Sequence, residues 1–173
     1  ESAAKVRPDL SHRFGDDPLA RRLQLGAELL LADLPVMCIK VGYKGFDTHA
    51  NQAGAHARLL QNLGDALAAF RAVMMDAGRW DEVVVVTVSE FGRRPRENGS
   101  GGTDHGTAAP VFSLGGRVRG GSYGAAPSLT SLEAGDLRHT TDFRSVYATV
   151  ARGLWGLDPA LFGGSRFPRL GWL

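Results

Sequence analysis

Val83-Val84-Val85-Val86-Thr87-Val88 is an unbroken β-branched run. A run without polar alternate positions has no face to give to water. It predicts a strand buried on both sides, as in a parallel sheet with helical cover. The run stops at Ser89-Glu90. A carboxylate is costly to bury without a partner, so Glu90 is expected in a crevice at the strand's carboxyl end, where open α/β sheets place ligands. A polar, glycine-rich loop follows and ends in Asp104-His105-Gly106. Two metal-ligand residue types stand there side by side, on a backbone that glycine lets bend tightly.

The chain ahead of this run predicts its partners. Residues 1–15 are polar and irregular and read as an arm or linker, with residues 16–173 as a single α/β domain. Asp16-Asp17-Pro18 opens a helix, because Asp accepts a free amide at the N-cap and Pro is tolerated at the first position. Leu19, Leu23, Ala27, Leu30 and Leu31 recur at helical spacing, and Leu34-Pro35 breaks the pattern. Val36 to Val41 reads as a second buried strand. Gly42 to Gln52 is the loop after it, carrying Asp47 and His49. A long helix is expected from about Ala53 to Ala77, with Leu59, Leu60, Leu63, Leu67, Phe70, Val73 and Met74 as its apolar stripe.

Strand, loop, helix, strand, loop is a βαβ unit. A right-handed crossover would put both loops on one sheet edge and gather Asp47, His49, Glu90, Asp104 and His105 there. The fold class expected is therefore α/β, with a mostly parallel sheet covered by helices on both faces. Pro110 to Leu114 reads as a further short strand, and Thr140-Thr141-Asp142 caps a helix to about Leu154 with Phe143, Val146, Tyr147 and Val150 on its apolar side.

Composition narrows the function classes. The net charge of +2 over 173 residues is too small to argue for nucleic acid. The cluster Arg93-Arg94-Pro95-Arg96 reads as a solvated loop, with contact to an anionic substrate as the alternative. No apolar stretch approaches the ~20 residues of a membrane span. No signal peptide is read in these residues, and the start at Glu1 rather than Met is taken as the mark of a processed or trimmed product. The lone Cys38 lies in an apolar run and reads as a buried, inert thiol.

Asp, Glu and His together suit hard or borderline divalent cations such as Zn, Mn or Mg. Two such ions a few Å apart can clamp the attacking and leaving oxygens of a phosphoryl or sulfuryl transfer. The alternative for each loop is hydrogen bonding that pins it. Glu90 reads as a ligand, a general base or half of a salt bridge with Arg93 or Arg94. His56 falls on the apolar side of its helix and reads as a core histidine or one that supports a ligand. No nucleophile stands out: Thr48, Ser89 and Thr103 neighbour candidate ligands, but none sits in a GxSxG elbow.

Several blocks carry a family resemblance: Gly45-Phe46-Asp47-Thr48-His49, Ser89-Glu90-Phe91-Gly92-Arg93, Glu97-Asn98-Gly99-Ser100, Gly102-Thr103-Asp104-His105-Gly106 and Thr140-Thr141-Asp142-Phe143-Arg144. They resemble the signature blocks of domain-of-unknown-function family 1501, bacterial exported proteins often bearing a twin-arginine signal and placed with the alkaline phosphatase and sulfatase superfamily. The resemblance runs from about Phe14 to Leu157. It implies an alkaline phosphatase-like sheet, two metal ions at strand ends, and a periplasmic or exported location. It maps His105 to the first ion beside Asp47 and His49, and Glu90 to the second; a rival mapping makes Asp104-His105 a ligand pair.

The sequence departs from the superfamily pattern. The first loop is Asp47-x-His49, and Asn51 stands where a His is expected. The superfamily's first Asp and its nucleophile region have no counterpart here, so the chain is expected to correspond to a C-terminal portion.

Two functions are therefore expected. One is a metal-dependent hydrolase of phosphate or sulfate esters acting on an anionic small-molecule or glycan ester, with Arg93 meeting the anion and Glu90 serving in catalysis. The other is a non-catalytic exported binding or scaffolding domain that keeps the fold. The oligomeric state is not set by the sequence.

Overall fold

Asp17 does what its position predicts. Its Oδ1 accepts from the Leu19 and Ala20 amides at 2.9 and 3.2 Å and starts helix α1, Pro18–Leu31. Those amides would otherwise lack partners at the helix start. The computed structural model describes residues 7–162 and 166–173. Residues 1–6 of the expected arm and residues 163–165 lie outside them.

The chain divides into two compact units. Within the described residues, the first runs to Trp80 and takes in Ser100–Gly102, and the second comprises Asp81–Gly99 and Thr103–Leu173.

The first unit is helical. α1 packs against α2, Gln52–Asp76. Leu19, Ala20, Leu23 and Ala27 of α1 are buried, as are Ala66, Phe70, Val73 and Met74 of α2. The buried stripe of α2 is confined to its second half; Leu60 is 44% exposed. Phe70 meets Trp80 edge to face at 6.4 Å. The buried Glu28 of α1 holds the segment before it, accepting from the Leu10 amide at 3.3 Å and Gln24 Nε2 at 2.7 Å and pairing with Arg7 at 3.1 Å.

The second unit contains the strands. β1 (Val84–Val86) pairs antiparallel with β4 (Ser113–Gly115). β2 (Gly92–Glu97) pairs antiparallel with β3 (Thr103–Gly106), with Arg93 opposite His105. The register shifts between Arg93 and Glu97, where Pro95 has no N–H to give to the ladder. β5 (Leu132–Glu133) and β6 (Asp136–Leu137) form a tight hairpin whose turn residues Ala134 and Gly135 both have positive φ, 50° and 86°, as a two-residue hairpin loop of this hand requires.

Helix α3, Phe143–Trp155, is capped by Asp142. Its buried side is Val146 with the small residues Ser145, Ala148, Thr149 and Ala151, whereas Phe143 is 60% exposed. Val146 clusters with Trp172 and Leu173, and Val84, Val86, Val118, Val150, Leu154 and Leu170 pack around them.

The expected mostly parallel sheet covered by helices on both faces is therefore corrected. Among the described residues every sheet is an antiparallel pair of two short strands. Of the run 83–88 only Val84–Val86 is strand, and its residues are half-buried. Val36 to Val41 makes no strand; Met37 is 71% exposed, and Cys38 is exposed rather than buried. The physical reason is that β-branched composition reports a preference for extended backbone. It carries no information on which partner closes the ladder or in which direction. No parallel pair forms from these runs, so the crossover inference has nothing to act on. No helix among the described residues is long and apolar enough to cross a membrane.

Candidate functional site

The loop Gly42 to Asn51 belongs to the first unit. Aromatic packing sets its course. Phe46 lies edge to face with Tyr43 at 5.4 Å and with His56 of α2 at 5.7 Å, and the Tyr43 hydroxyl donates to the Leu59 carbonyl at 3.3 Å. The Thr48 amide donates to the Phe46 carbonyl at 3.0 Å, a tight turn about Asp47. Beyond the turn, Asp47 Oδ1 and His49 Nε2 lie 3.0 Å apart, with both side chains about half exposed. Thr48 between them is buried.

The far end of the loop is fixed by backbone. Asn51 adopts the left-handed conformation, φ 47°, which Asn tolerates better than most residues. Its amide donates to the Ser100 carbonyl at 3.0 Å, and the Gln52 amide donates to the Gly101 carbonyl at 2.8 Å. These bonds satisfy amides that the start of α2 leaves open. Asn51, at the position where the resemblance implies a His, is a backbone turn residue. Gly102 passes so close to the loop that a Cβ on it would lie 2.3 Å from the His49 carbonyl carbon. His56 is partly buried; its Nδ1 is shielded and has no hydrogen-bond partner among the described residues.

The second unit places the other candidates on or beside the β2–β3 hairpin. His105 stacks flat on Phe91, ring centres 3.8 Å apart and planes 9° apart. The Arg93 guanidinium sits 5.2 Å from the same ring and donates to the Thr103 carbonyl at 2.6 Å. Asp104 Oδ1 accepts from Asn98 Nδ2 at 3.1 Å. Successive strand residues leave opposite faces, which is why the adjacent Asp104 and His105 go to different partners. Arg94 lies 3.3 Å from Asp136. Glu90 is exposed between β1 and β2 and makes no hydrogen bond or ion pair among the described residues, so the salt bridge considered for it with Arg93 or Arg94 does not form.

Within one unit, then, the structure brings Asp47 to His49. In the other it commits Asp104 to Asn98 and places His105 and Arg93 on Phe91. Sequence reasoning passed over the roles of Thr48, Gln52, Phe91 and Asn98. The hydroxyl four positions before Gln52 was a readable signal for the first two. Nothing local announces the ring stack.

The profile of the family described as Protein of unknown function (DUF1501) matches residues 12–161. The chain belongs to this family. No curated protein and no solved structure matches it.

Proposed function

We propose that this DUF1501 chain binds a divalent cation through Asp47 and His49 and belongs to a metal-dependent hydrolase of phosphate or sulfate esters. The observation that carries the metal is the 3.0 Å separation of Asp47 Oδ1 and His49 Nε2. That is the distance of a His–carboxylate hydrogen bond; two donors about 2.1 Å from one ion stand about 3 Å apart at the right angle of an octahedral site and about 3.4 Å apart on a tetrahedral one, so a small opening of the pair admits an ion. One imidazole and one carboxylate suit Zn or Mn. A bound ion would polarise an ester oxygen and bring water to it at neutral pH. Ester hydrolysis itself rests on the resemblance to the phosphatase and sulfatase superfamily, as does an exported location. Whether His105 adds a ligand is decided by its own variant.

A second reading is favoured by the hairpin. Asp104 accepts from Asn98, His105 stacks on Phe91 and Arg93 donates to the Thr103 carbonyl. That supports a binding or scaffolding domain in which these motif residues hold a hairpin. Hydrolysis of para-nitrophenyl phosphate and para-nitrophenyl sulfate, with chelator and after return of Zn or Mn, separates the two. The hydrolase reading expects turnover that the chelator removes and His49→Ala abolishes. An ion-loaded protein without turnover of either ester overturns it in favour of the second.

A further inference from the structure

The Asp47–His49 pair is exposed, and besides the 3.0 Å contact between the two side chains its geometry depends on the turn that carries them. Thr48 is the residue behind it. It is 9% exposed. Its hydroxyl lies 3.4 Å from the Phe46 carbonyl and accepts from Gln52 Nε2 at 2.8 Å. A hydroxyl can donate once and accept as well. A carbonyl only accepts, so the hydroxyl proton goes to Phe46 and the Gln52 amide presents its N–H to Thr48. Gln52 is in turn the first residue of α2, and its backbone amide is held by the Gly101 carbonyl. A bonded chain therefore runs from Gly101 through Gln52 to Thr48 and ends between Asp47 and His49.

We propose that Thr48 and Gln52 are positioning residues for a metal bound by Asp47 and His49, acting through the Thr48 hydroxyl to pin the turn from which both donors project. This rests on the metal reading above. Neither residue touches the ion. Groups that orient metal ligands from behind typically change metal affinity by about 10–100-fold when removed. Thr48→Val keeps the shape and removes both hydrogen bonds. Thr48→Ser keeps the hydroxyl. Gln52→Met keeps the length and removes the donors.

The test is titration of the whole chain with Co²⁺, following the visible d–d bands, with helix content measured alongside. The expected result is that Thr48→Val and Gln52→Met bind Co²⁺ about 10–100-fold more weakly with altered bands, while Thr48→Ser retains wild-type affinity and bands. A purely structural role would lower the melting temperature and leave the bands of the folded protein unchanged. Should one variant fail to fold, the other decides. Wild-type binding with both variants within about twofold of it overturns the positioning role and leaves the metal reading standing. A wild-type chain that takes up no Co²⁺ overturns the metal reading, and the positioning role with it.

Discussion

The two units handle the same residue types in opposite ways. In the first, Asp47 and His49 are two positions apart on a turn and converge to 3.0 Å. In the second, Asp104 and His105 are adjacent on a strand and diverge, one to Asn98 and the other to Phe91. Spacing within a motif thus acquires meaning only from the local backbone. An i, i+2 pair about a turn can share a ligand, whereas an i, i+1 pair in a strand is split between its faces. The scaffolds differ too. The first unit rests on a helix pair, and the second on a small cluster of Val146, Trp172 and Leu173 with half-buried neighbours.

The contrast in scaffolds is tested most strongly in the cores. Phe70 is 5% exposed and Trp172 is 4% exposed; truncating either to Ala should cost about 3–5 kcal/mol. Hydrogen exchange should show Phe70→Ala loosening the amides of α1 and α2, and Trp172→Ala those of α3. A uniform loss across the chain in both variants would break the comparison.

The next effect is at Gly102. A Cβ there meets the His49 backbone, so Gly102→Ala must displace the loop, at about 1–3 kcal/mol. The chemical shifts of Asp47 and His49 should move with it. Unchanged shifts and stability would remove the backbone support claimed for the pair.

Smaller still are the helix caps, one in each unit. Asp17→Ala should cost about 1 kcal/mol in thermal or denaturant unfolding. Asp142 differs because it takes both the side chain and the amide of Arg144. The hydrogen bonds from the Arg144 side chain first, and from its amide second, hold the carboxyl at about 2 against the ordinary 3.8. A lowered pKa means that the native state favours the charged form. Its contribution is complete above 3.8 and is lost as the pH falls towards 2. Asp142→Asn keeps a capping oxygen and removes the charge, so the stability gap between wild type and variant should narrow over that acid window and stay flat above it. A gap that ignores pH would contradict the assignment.

The helices were legible because their signals are local. Asp17-Pro18 and Asp142 mark starts, and apolar spacing fixes most of the α1 face. α3 was legible in extent and only partly in face: Val146 is buried and Val150 packs on its cluster as expected, whereas Phe143 and Tyr147 are 60% and 39% exposed and the small residues Ser145, Ala148, Thr149 and Ala151 turn inward. The sheet was not legible. Val84–Val86 finds its partner in Ser113–Gly115, nearly thirty positions later, and nothing in a valine run names that partner. Trp172 is core in the structure, although none of the apolar patterns read in the sequence includes it. At the candidate site, the Asp-x-His spacing was visible. The Thr48 to Gln52 bond, the Gly102 approach and the His105 stack depend on contacts that only the folded chain supplies.

The proposed binding of a divalent ion by Asp47 and His49 is tested by the metal content of the purified chain, measured by mass spectrometry after incubation with Zn or Mn, beside His49→Ala and His105→Ala. At least one equivalent is expected in the wild type, lost in His49→Ala; a loss in His105→Ala as well would add that residue to the ligands. A wild-type chain that retains no ion, or a His49→Ala chain that retains as much as the wild type, would contradict it.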